Sequence, residues 1–304
     1  MYADAGGKLS TSTLNDWVHR TAGKLYPLYE TLIDDILRSD YLQVDEVPWR
    51  IADRPGQSCR HGYAWQFRDA RPQSRGTYFY YLKGSRAGEI PRAQLRHFRG
   101  AVQTDGYKVY DYFESVPGIV LLACMAHIRR KFIEAQKSHP GEAAKALEYI
   151  AVLYTLEENL RSRGASEEEI RAQRREKALP VLDAMEAWME SVQHRCTPDD
   201  LLGKALDYAY KLWPRVRRYA DDGRYLLDNN PVERGQRPTV MGRKNYLFSK
   251  TDEGAVDNAV IYSLLGSCEI VHVNPLKWLE YALANLNTDC TEEELAKLLP
   301  CNFT

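Results

Sequence analysis

The chain has 304 residues, 44% of them hydrophobic and 27% charged, with a formal net charge of −1. That is enough chain for one large or two smaller domains with a substantial core, and the even charge balance removes any argument for a nucleic-acid partner from net charge alone. No apolar stretch approaches the roughly 20 residues that cross a bilayer, and the first residues lack the basic-then-apolar order of a secretory leader, so a cytoplasmic protein with no membrane partner is expected.

Residues 1–40 read as two short helices separated by Pro27, with Ser12 or Thr13 as cap and apolar positions at Leu14, Trp17, Val18, Leu25, Leu28, Leu32 and Ile36. Ser10 to Trp17 has the outline of a helix-turn-helix entry, but a packing helix is the expectation. From Tyr41 the pattern turns to strands: Tyr41–Arg50, Tyr63–Phe67 and Thr77–Leu82, punctuated by Gly62, Gly76 and Gly84 as turns. A helix around Pro91 to Phe98 precedes a fourth strand at Gly100–Asp105, and Gly118–Ala123 is wholly apolar, as a buried parallel strand would be. Three strands followed by helix-strand-helix-strand imply an α/β fold with a mixed sheet, and ligands in such sheets sit beyond strand ends, where Asp45 and Asp105 are expected.

Residues 125–226 look almost entirely helical. Leu147, Ile150, Leu153, Leu156 and Leu160 keep helical spacing, Ser166 to Glu169 reads as a capping box, and Thr197-Pro198-Asp199-Asp200 as a helix start with proline in its first turn. Further helices are expected at Ala255–Ile270, Pro275–Leu286 and Thr291–Leu299. The six cysteines, Cys59, Cys124, Cys196, Cys268, Cys290 and Cys301, are too scattered for a disulfide scaffold, so reduced thiols are expected.

Three acids stand out. Asp45 closes the run Tyr41-Leu42-Gln43-Val44, Asp105 closes Ala101-Val102-Gln103-Thr104, and Glu233 lies at a helix start in Asp228-Asn229-Asn230-Pro231-Val232-Glu233-Arg234. Carboxylates from two strand ends and a helix start can converge on hard divalent cations and leave positions open for phosphate. Each has a plain alternative: a solvated turn acid for Asp45, an Asp-Gly turn for Asp105, and a first-turn capping role for Glu233. Pleat alternation sends Asp45 and Glu46 to opposite faces, so only one can serve the site.

Basic clusters occur at Arg129-Arg130-Lys131, from Lys211 to Arg218, and from Arg234 through Arg237, Arg243, Lys244 and Lys250. Two adjoin the acids, with Arg237 expected one turn beyond Glu233 and Gly242-Arg243-Lys244-Asn245 where that helix ends. Cys124-Met125-Ala126-His127 has the spacing of half a zinc site, with Cys59 and His61 as distant partners, but core packing for Cys124 and a place beside the scissile phosphate for His127 are preferred. Tyr107, Tyr246 or Trp49 could stack on an unpaired base, or be core aromatics.

Val44-Asp45-Glu46, Gln103-Thr104-Asp105-Gly106-Tyr107, Cys124 to Phe132, Asp228 to Arg234 and Gly242 to Phe248, in this order and spacing, resemble the transposase of the insertion sequence 66 family from about Tyr2 to Leu286. The resemblance implies a DDE transposase with an RNase H-like core: an α/β fold with a mixed five-stranded sheet flanked by helices and an all-helical insertion before the last catalytic helix. The corresponding divisions are 1–40 (N-terminal helices), 41–138 (first part of the core), 139–226 (helical insertion) and 227–304 (core completion and C-terminal helices). Asp45, Asp105 and Glu233 match the three metal-binding acids, expected to hold two Mg2+ ions, with Mn2+ as substitute. His127, Arg129, Arg130, Arg237, Arg243 and Lys244 are the expected contacts to DNA.

The expected partners are the element ends and target DNA, a second copy of the chain when on DNA, and accessory transposition proteins. This chain has Val47 where the family usually has threonine and Met125 where it usually has tryptophan, and neither is a carboxylate. Family members carry an N-terminal DNA-binding region ahead of the position of Tyr2, so the chain resembles the catalytic region, a truncated copy or an isolated domain. A catalytically silent DNA-binding remnant and a general RNase H-like nuclease are the alternative functions.

Overall fold

The computed structural model describes residues 9–52 and 58–303, with Arg243 and Tyr246 described by backbone alone. Helix α1 (Thr11–Leu37) leads into strands β1 (Tyr41–Ile51), β2 (Arg60–Asp69) and β3 (Thr77–Tyr81). Helix α2 (Glu89–Gln94), β4 (Gly100–Thr104), a 3-10 segment at Lys108–Ser115 and β5 (Ile119–Ala123) follow. Next come α3 (Met125–Ala135), α4 (Pro140–Ser162), α5 (Glu167–Gln173), α6 (Leu179–Val192) and α7 (Leu201–Arg217). The chain ends with α8 (Asn230–Gly235), α9 (Arg237–Tyr246), α10 (Asp252–Ile270), α11 (Pro275–Asn285) and α12 (Glu292–Lys297). The strands form one mixed five-stranded sheet in the order β3-β2-β1-β4-β5, an α/β architecture. Two compact units divide the chain: Met1–Asp69, Gln73–Phe98 and Pro231–Thr304 make the first, Ala70–Pro72 and Arg99–Asn230 the second.

In the first unit a single helix stands where Pro27 suggested two. Ser10, rather than Ser12 or Thr13, caps it by accepting the Thr13 N–H at 3.1 Å. An interior proline costs about 3 kcal/mol. Leu25, Leu28, Leu32 and Ile36 form one continuous buried face across it, each worth about 1.5–3 kcal/mol, so burial outweighs the break. Tyr29 adds a hydrogen bond from its hydroxyl to the Phe79 carbonyl at 2.7 Å, which fixes α1 to β3 as a packing helix.

Strands β1, β2 and β3 are antiparallel, with Asp45 opposite Gln66 and Gln66 opposite Phe79. On one face Val47, Trp49, Ile51, Ala64, Phe79 and Tyr81 pack under Ala255 and Ala259 of α10. Trp49 stacks on Tyr81 at 5.8 Å between ring centroids, so it is a core aromatic rather than a base-stacking one. The free edge of β3 is covered by two serines one helical turn apart: Phe79 N–H donates to Ser263 Oγ at 2.7 Å and Thr77 N–H to Ser267 Oγ at 3.0 Å. Gly76, at φ +151°, is required there, because a Cβ would stand 2.4 Å from Ser267 Oγ. Gly62 lies within β2 rather than in a turn, where it lets Gly84 Cα approach.

The second unit joins the parallel pair β4–β5 to helices α3 to α7. Strand β5 is less buried than its apolar run suggested, since Val120 is exposed. Asp200 caps α7 by accepting the Gly203 N–H at 2.7 Å, which leaves Pro198 ahead of the helix rather than inside its first turn. Ser166 caps α5, while the Glu169 carboxylate pairs with Arg163 at 2.6 Å. The helices enclose Ile150, Leu153, Leu182, Met185, Leu206 and Trp213.

Within this apolar layer lies a fully buried charge. The Arg174 guanidinium, 0% exposed, makes a two-pronged pair with Glu157 at 2.7 Å on each oxygen and donates to the carbonyls of Tyr219, Asp222 and Tyr225 at 2.8–3.0 Å. All of its directions are used, so desolvation is compensated. Arg174→Ala takes from the buried Glu157 its two-pronged partner, leaving Arg161 at 3.6 Å, and is expected to lower stability by about 3 kcal/mol in urea unfolding. The double variant Arg174→Met with Glu157→Leu is expected to recover a large part of that loss.

Candidate active site

Asp45 does not end a strand. It stands in the middle of β1, because the pairing with β2 continues unbroken to Ile51. Alternation puts Gln43, Asp45, Gln66 and Arg68 on the face whose other half is the apolar patch under α10. This half is polar although Gln43 and Gln66 are fully buried, and a core face seldom carries such residues without a task. Glu46 points to the opposite face, is 2% exposed and is held by Arg86 at 2.5 and 2.9 Å. Asp45 is therefore the acid left to a site.

Helix α8 covers the polar half. Gln236, just past its end, donates from Nε2 to Asp45 Oδ2 at 3.0 Å, while Asp45 Oδ1 accepts the Glu46 N–H at 2.9 Å. Gly235 brings the backbone close: a Cβ there would stand 2.6 Å from Gln66 Nε2, which itself donates to Thr77 Oγ1 at 2.9 Å. The helix that carries Glu233 is thus brought to Asp45. Helix α8 ends at Gly235 and α9 starts anew at Arg237, so Arg237 does not extend the Glu233 face, and Gly242 to Asn245 lie inside α9 rather than beyond a helix end. Arg237 and Lys244 are exposed on α9, and the Arg243 side chain lies outside the described residues.

Asp105 belongs to the second unit, directly after β4. Its Oδ1 accepts the Tyr107 N–H at 2.8 Å and its carbonyl accepts the Tyr208 hydroxyl, while Gly106 takes φ +88° under Leu212. The Asp-Gly turn is real, and it also fixes the carboxylate. His127 is half-buried in the first turn of α3, with Arg129 and Arg130 exposed one turn on. These arginines line a cleft of about 570 Å³ with Tyr154, Glu158 and Asn230.

The segment leading to Asn230 is fastened at successive residues. Leu226 carbonyl accepts Gln103 Nε2 at 2.7 Å, Leu227 carbonyl accepts the Met125 N–H at 3.0 Å, and Asn229 N–H donates to Cys124 Sγ at 3.4 Å. Asp228 takes the Tyr154 hydroxyl at 2.8 Å and binds both the backbone and the side-chain nitrogen of Asn230. Sequence reading quoted Asp228 without a role and missed Tyr154, Gln66, Arg68 and Gln236. A polar residue in step with the strand pattern was the available signal for Gln66 and Arg68, whereas Tyr154 lay hidden in a helix far along the chain.

The cluster from Lys211 to Arg218 is spent within the unit. Lys211 and Arg215 bond Asp111 at 2.9 Å, Arg215 and Arg218 bond Glu114, and Arg217 bonds Asp183 at 2.5 Å. Burial alone would raise the Asp111 and Glu114 carboxyls, but these cations hold both below their ordinary values. Among the described residues no three His, Cys, Asp or Glu side chains are grouped to hold a metal ion. All six cysteines are free of disulfides, and no metal-holding group joins Cys124 and His127 to Cys59 and His61 among the described residues. For divalent ions the donor chemistry fits, since Asp45 and Asp105 each offer carboxylate oxygens of the hard kind such ions take.

The mixed sheet with its flanking helices is an RNase H-like α/β fold. The chain belongs to the transposase IS66 family, whose family model matches residues 1–257. Relatives include three uncharacterized proteins of Sinorhizobium fredii. The first, y4hP, is 30% identical over 318 residues, covering 97% of this chain and 56% of that protein. The second, y4jD, is 29% identical over 315 residues, covering 100% and 61%. The third, y4qI, is 27% identical over 317 residues, covering 100% and 58%. The chain therefore spans less than two thirds of the length of these relatives. Among the described residues no helix is long and apolar enough to cross a membrane.

Burial pushes the Cys124 thiol up to about 12, so it stays protonated at neutral pH and serves as a packed acceptor. Alkylation of the native protein is expected to spare Cys124 and to label Cys196 and Cys290. Peptide masses read the result, and rapid labelling of Cys124 would contradict its assigned place. Tyr154→Phe removes a hydrogen bond to a carboxylate and is expected to cost about 1.5–3 kcal/mol in chemical unfolding.

Proposed function

We propose that the protein is a DNA transposase that cleaves strands at element ends and joins them to target DNA by metal-dependent phosphoryl transfer. The observation that carries this reading is the placement of Asp45: mid-strand on a buried polar face, aligned by Gln236 from the segment that follows Glu233, with its neighbour Glu46 withdrawn to Arg86. Membership of a transposase family supports the same reading.

Asp45, Asp105 and Glu233 would hold two Mg2+ ions, with Mn2+ as substitute. Bound divalent ions would activate the attacking oxygen and stabilise the leaving one. In cleavage, a water oxygen forms a P–O bond as the P–O3′ bond breaks, which frees a 3′-hydroxyl. In joining, that hydroxyl attacks a target phosphodiester and displaces its 3′-oxygen. Rigid carboxylates suit this chemistry, and the hydrogen bonds on Asp45 and Asp105 supply rigidity.

His127, Arg129, Arg130, Arg237, Arg243 and Lys244 would take the DNA backbone, contributing affinity rather than sequence choice. Arg129, Arg130, Arg237 and Lys244 are exposed, as this role requires. A second copy on DNA and accessory proteins belong to the same proposal, as do the four divisions of the chain at 40, 138 and 226.

The expected result is Mg2+-dependent nicking of a short duplex and transfer of a pre-cleaved end into plasmid DNA, both reduced at least about a hundredfold in Asp45→Asn and Glu233→Gln. Equal nicking by the wild type and Asp45→Asn would point to a silent remnant. Nicking without joining would point to a general nuclease.

A further inference from the structure

Arg68 lies on the same face of β2 as Gln66, two residues and about 7 Å further along. Helix α8 crosses this stretch, with Gly235 against Gln66 and Gln236 on Asp45. Arg234 precedes Gly235 in α8, near enough for its charge to act on Arg68. Burial and then Arg234 hold the Arg68 guanidinium below its ordinary value, against a smaller opposing effect of Asp69. Asp69 points to the other face, where its oxygens accept Ser39 Oγ and the Arg75 N–H. The buried Nε of Arg68 has no acceptor among the described residues.

The other buried arginines of this chain are treated differently. Arg174 makes five hydrogen bonds, and Arg215 is clasped by Asp111 and Glu114. Arg68 is half-buried and faces a like charge instead. A cation partly withdrawn from water and set near a like charge is unfavourable unless an anion joins them. Guanidinium forks match a tetrahedral oxyanion two oxygens at a time.

We infer that Arg68 and Arg234 form an oxyanion clamp for a phosphate group beside Asp45. On the transposase reading, on which this part rests, that group is a backbone phosphodiester next to the reacting one. Neither arginine belongs to the basic set assigned above to the DNA backbone: Arg68 lies on the sheet face that holds Asp45, and Arg234, itself exposed, precedes the Gly235 that packs on that face.

The first measurement needs neither metal nor turnover. Thermal unfolding of the whole chain is followed in inorganic phosphate and in chloride at matched ionic strength, for wild type, Arg68→Gln and Arg234→Gln. The wild type is expected to gain stability from phosphate, and both variants to lose that gain. The second measurement is metal-free binding of a labelled duplex across salt concentration. Each glutamine variant is expected to reduce the slope of log K against log salt by about one, whereas Arg68→Lys keeps the slope and binds more weakly. Arg234 is exposed, so Arg234→Gln keeps the test valid if Arg68→Gln does not fold. Unchanged phosphate gain and unchanged slope in the folded variants overturn the clamp. A phosphate gain lost in the variants, with no duplex binding by the wild type, upholds the clamp and overturns the transposase reading.

Discussion

The period of two along β1 governs the first unit. Asp45 and Glu46 are adjacent in the chain and opposite in space, and each face of the sheet disposes of its acid in its own way. Glu46 is neutralised by Arg86 within a buried environment. Asp45 accepts from an amide and a backbone N–H, neutral donors that orient it. A register slip of one residue would exchange these fates and put Glu46 under α8. The antiparallel pairing over ten residue pairs, with the apolar half of the same face locked under α10, makes that slip costly.

The second unit solves a different problem, that of holding an irregular segment still. Residues 219–230 contain no strand and no long helix, yet several of their backbone groups are taken by side chains, most of them from elsewhere in the unit. Arg174 collects three carbonyls, Gln103 a fourth, and Cys124 and Asp228 accept N–H groups. A buried arginine with five donors in a fixed fork is suited to this work, because one side chain can satisfy several carbonyls that would otherwise be buried without partners. The segment is thereby held up to Asn230, the last residue of this unit.

Much of this was readable in advance. The strands and their order in the chain, the helical stretch after Met125 and the three C-terminal helices follow from alternation and helical spacing. What misled were local signals overruled by distant packing. Pro27 looked like a boundary, but the aliphatic face from Leu25 to Ile36 runs through it. Asp45 looked like a strand end because an acid interrupts an apolar run, while the partner strand that continues the pairing lay beyond the reach of a local reading. Arg237 looked like a continuation of the Glu233 helix, because nothing local showed that Gly235 must lie against Gln66 and end it. The serines of α10 were invisible as edge covers, since serine in a helix is ordinarily a weak helix former and nothing more.

A net charge of −1 gives a poor account of what the cations do, because they fall into physically distinct sets. Those from Lys211 to Arg218 are matched to Asp111, Glu114 and Asp183 and hold the second unit together, so they have little left for a ligand. Arg129, Arg130, Arg237 and Lys244 are exposed, so exchanging water for phosphate carries a small desolvation cost, which suits reversible, salt-sensitive contact. Arg68 belongs to neither set. It is partly out of water already, beside another guanidinium, so much of the desolvation that binding an anion demands has been met in folding. A site prepared in that way discriminates by position more than by total charge. An oxyanion there is fixed relative to Asp45 by the pleat of two paired strands, whereas one held by surface lysines and arginines could slide.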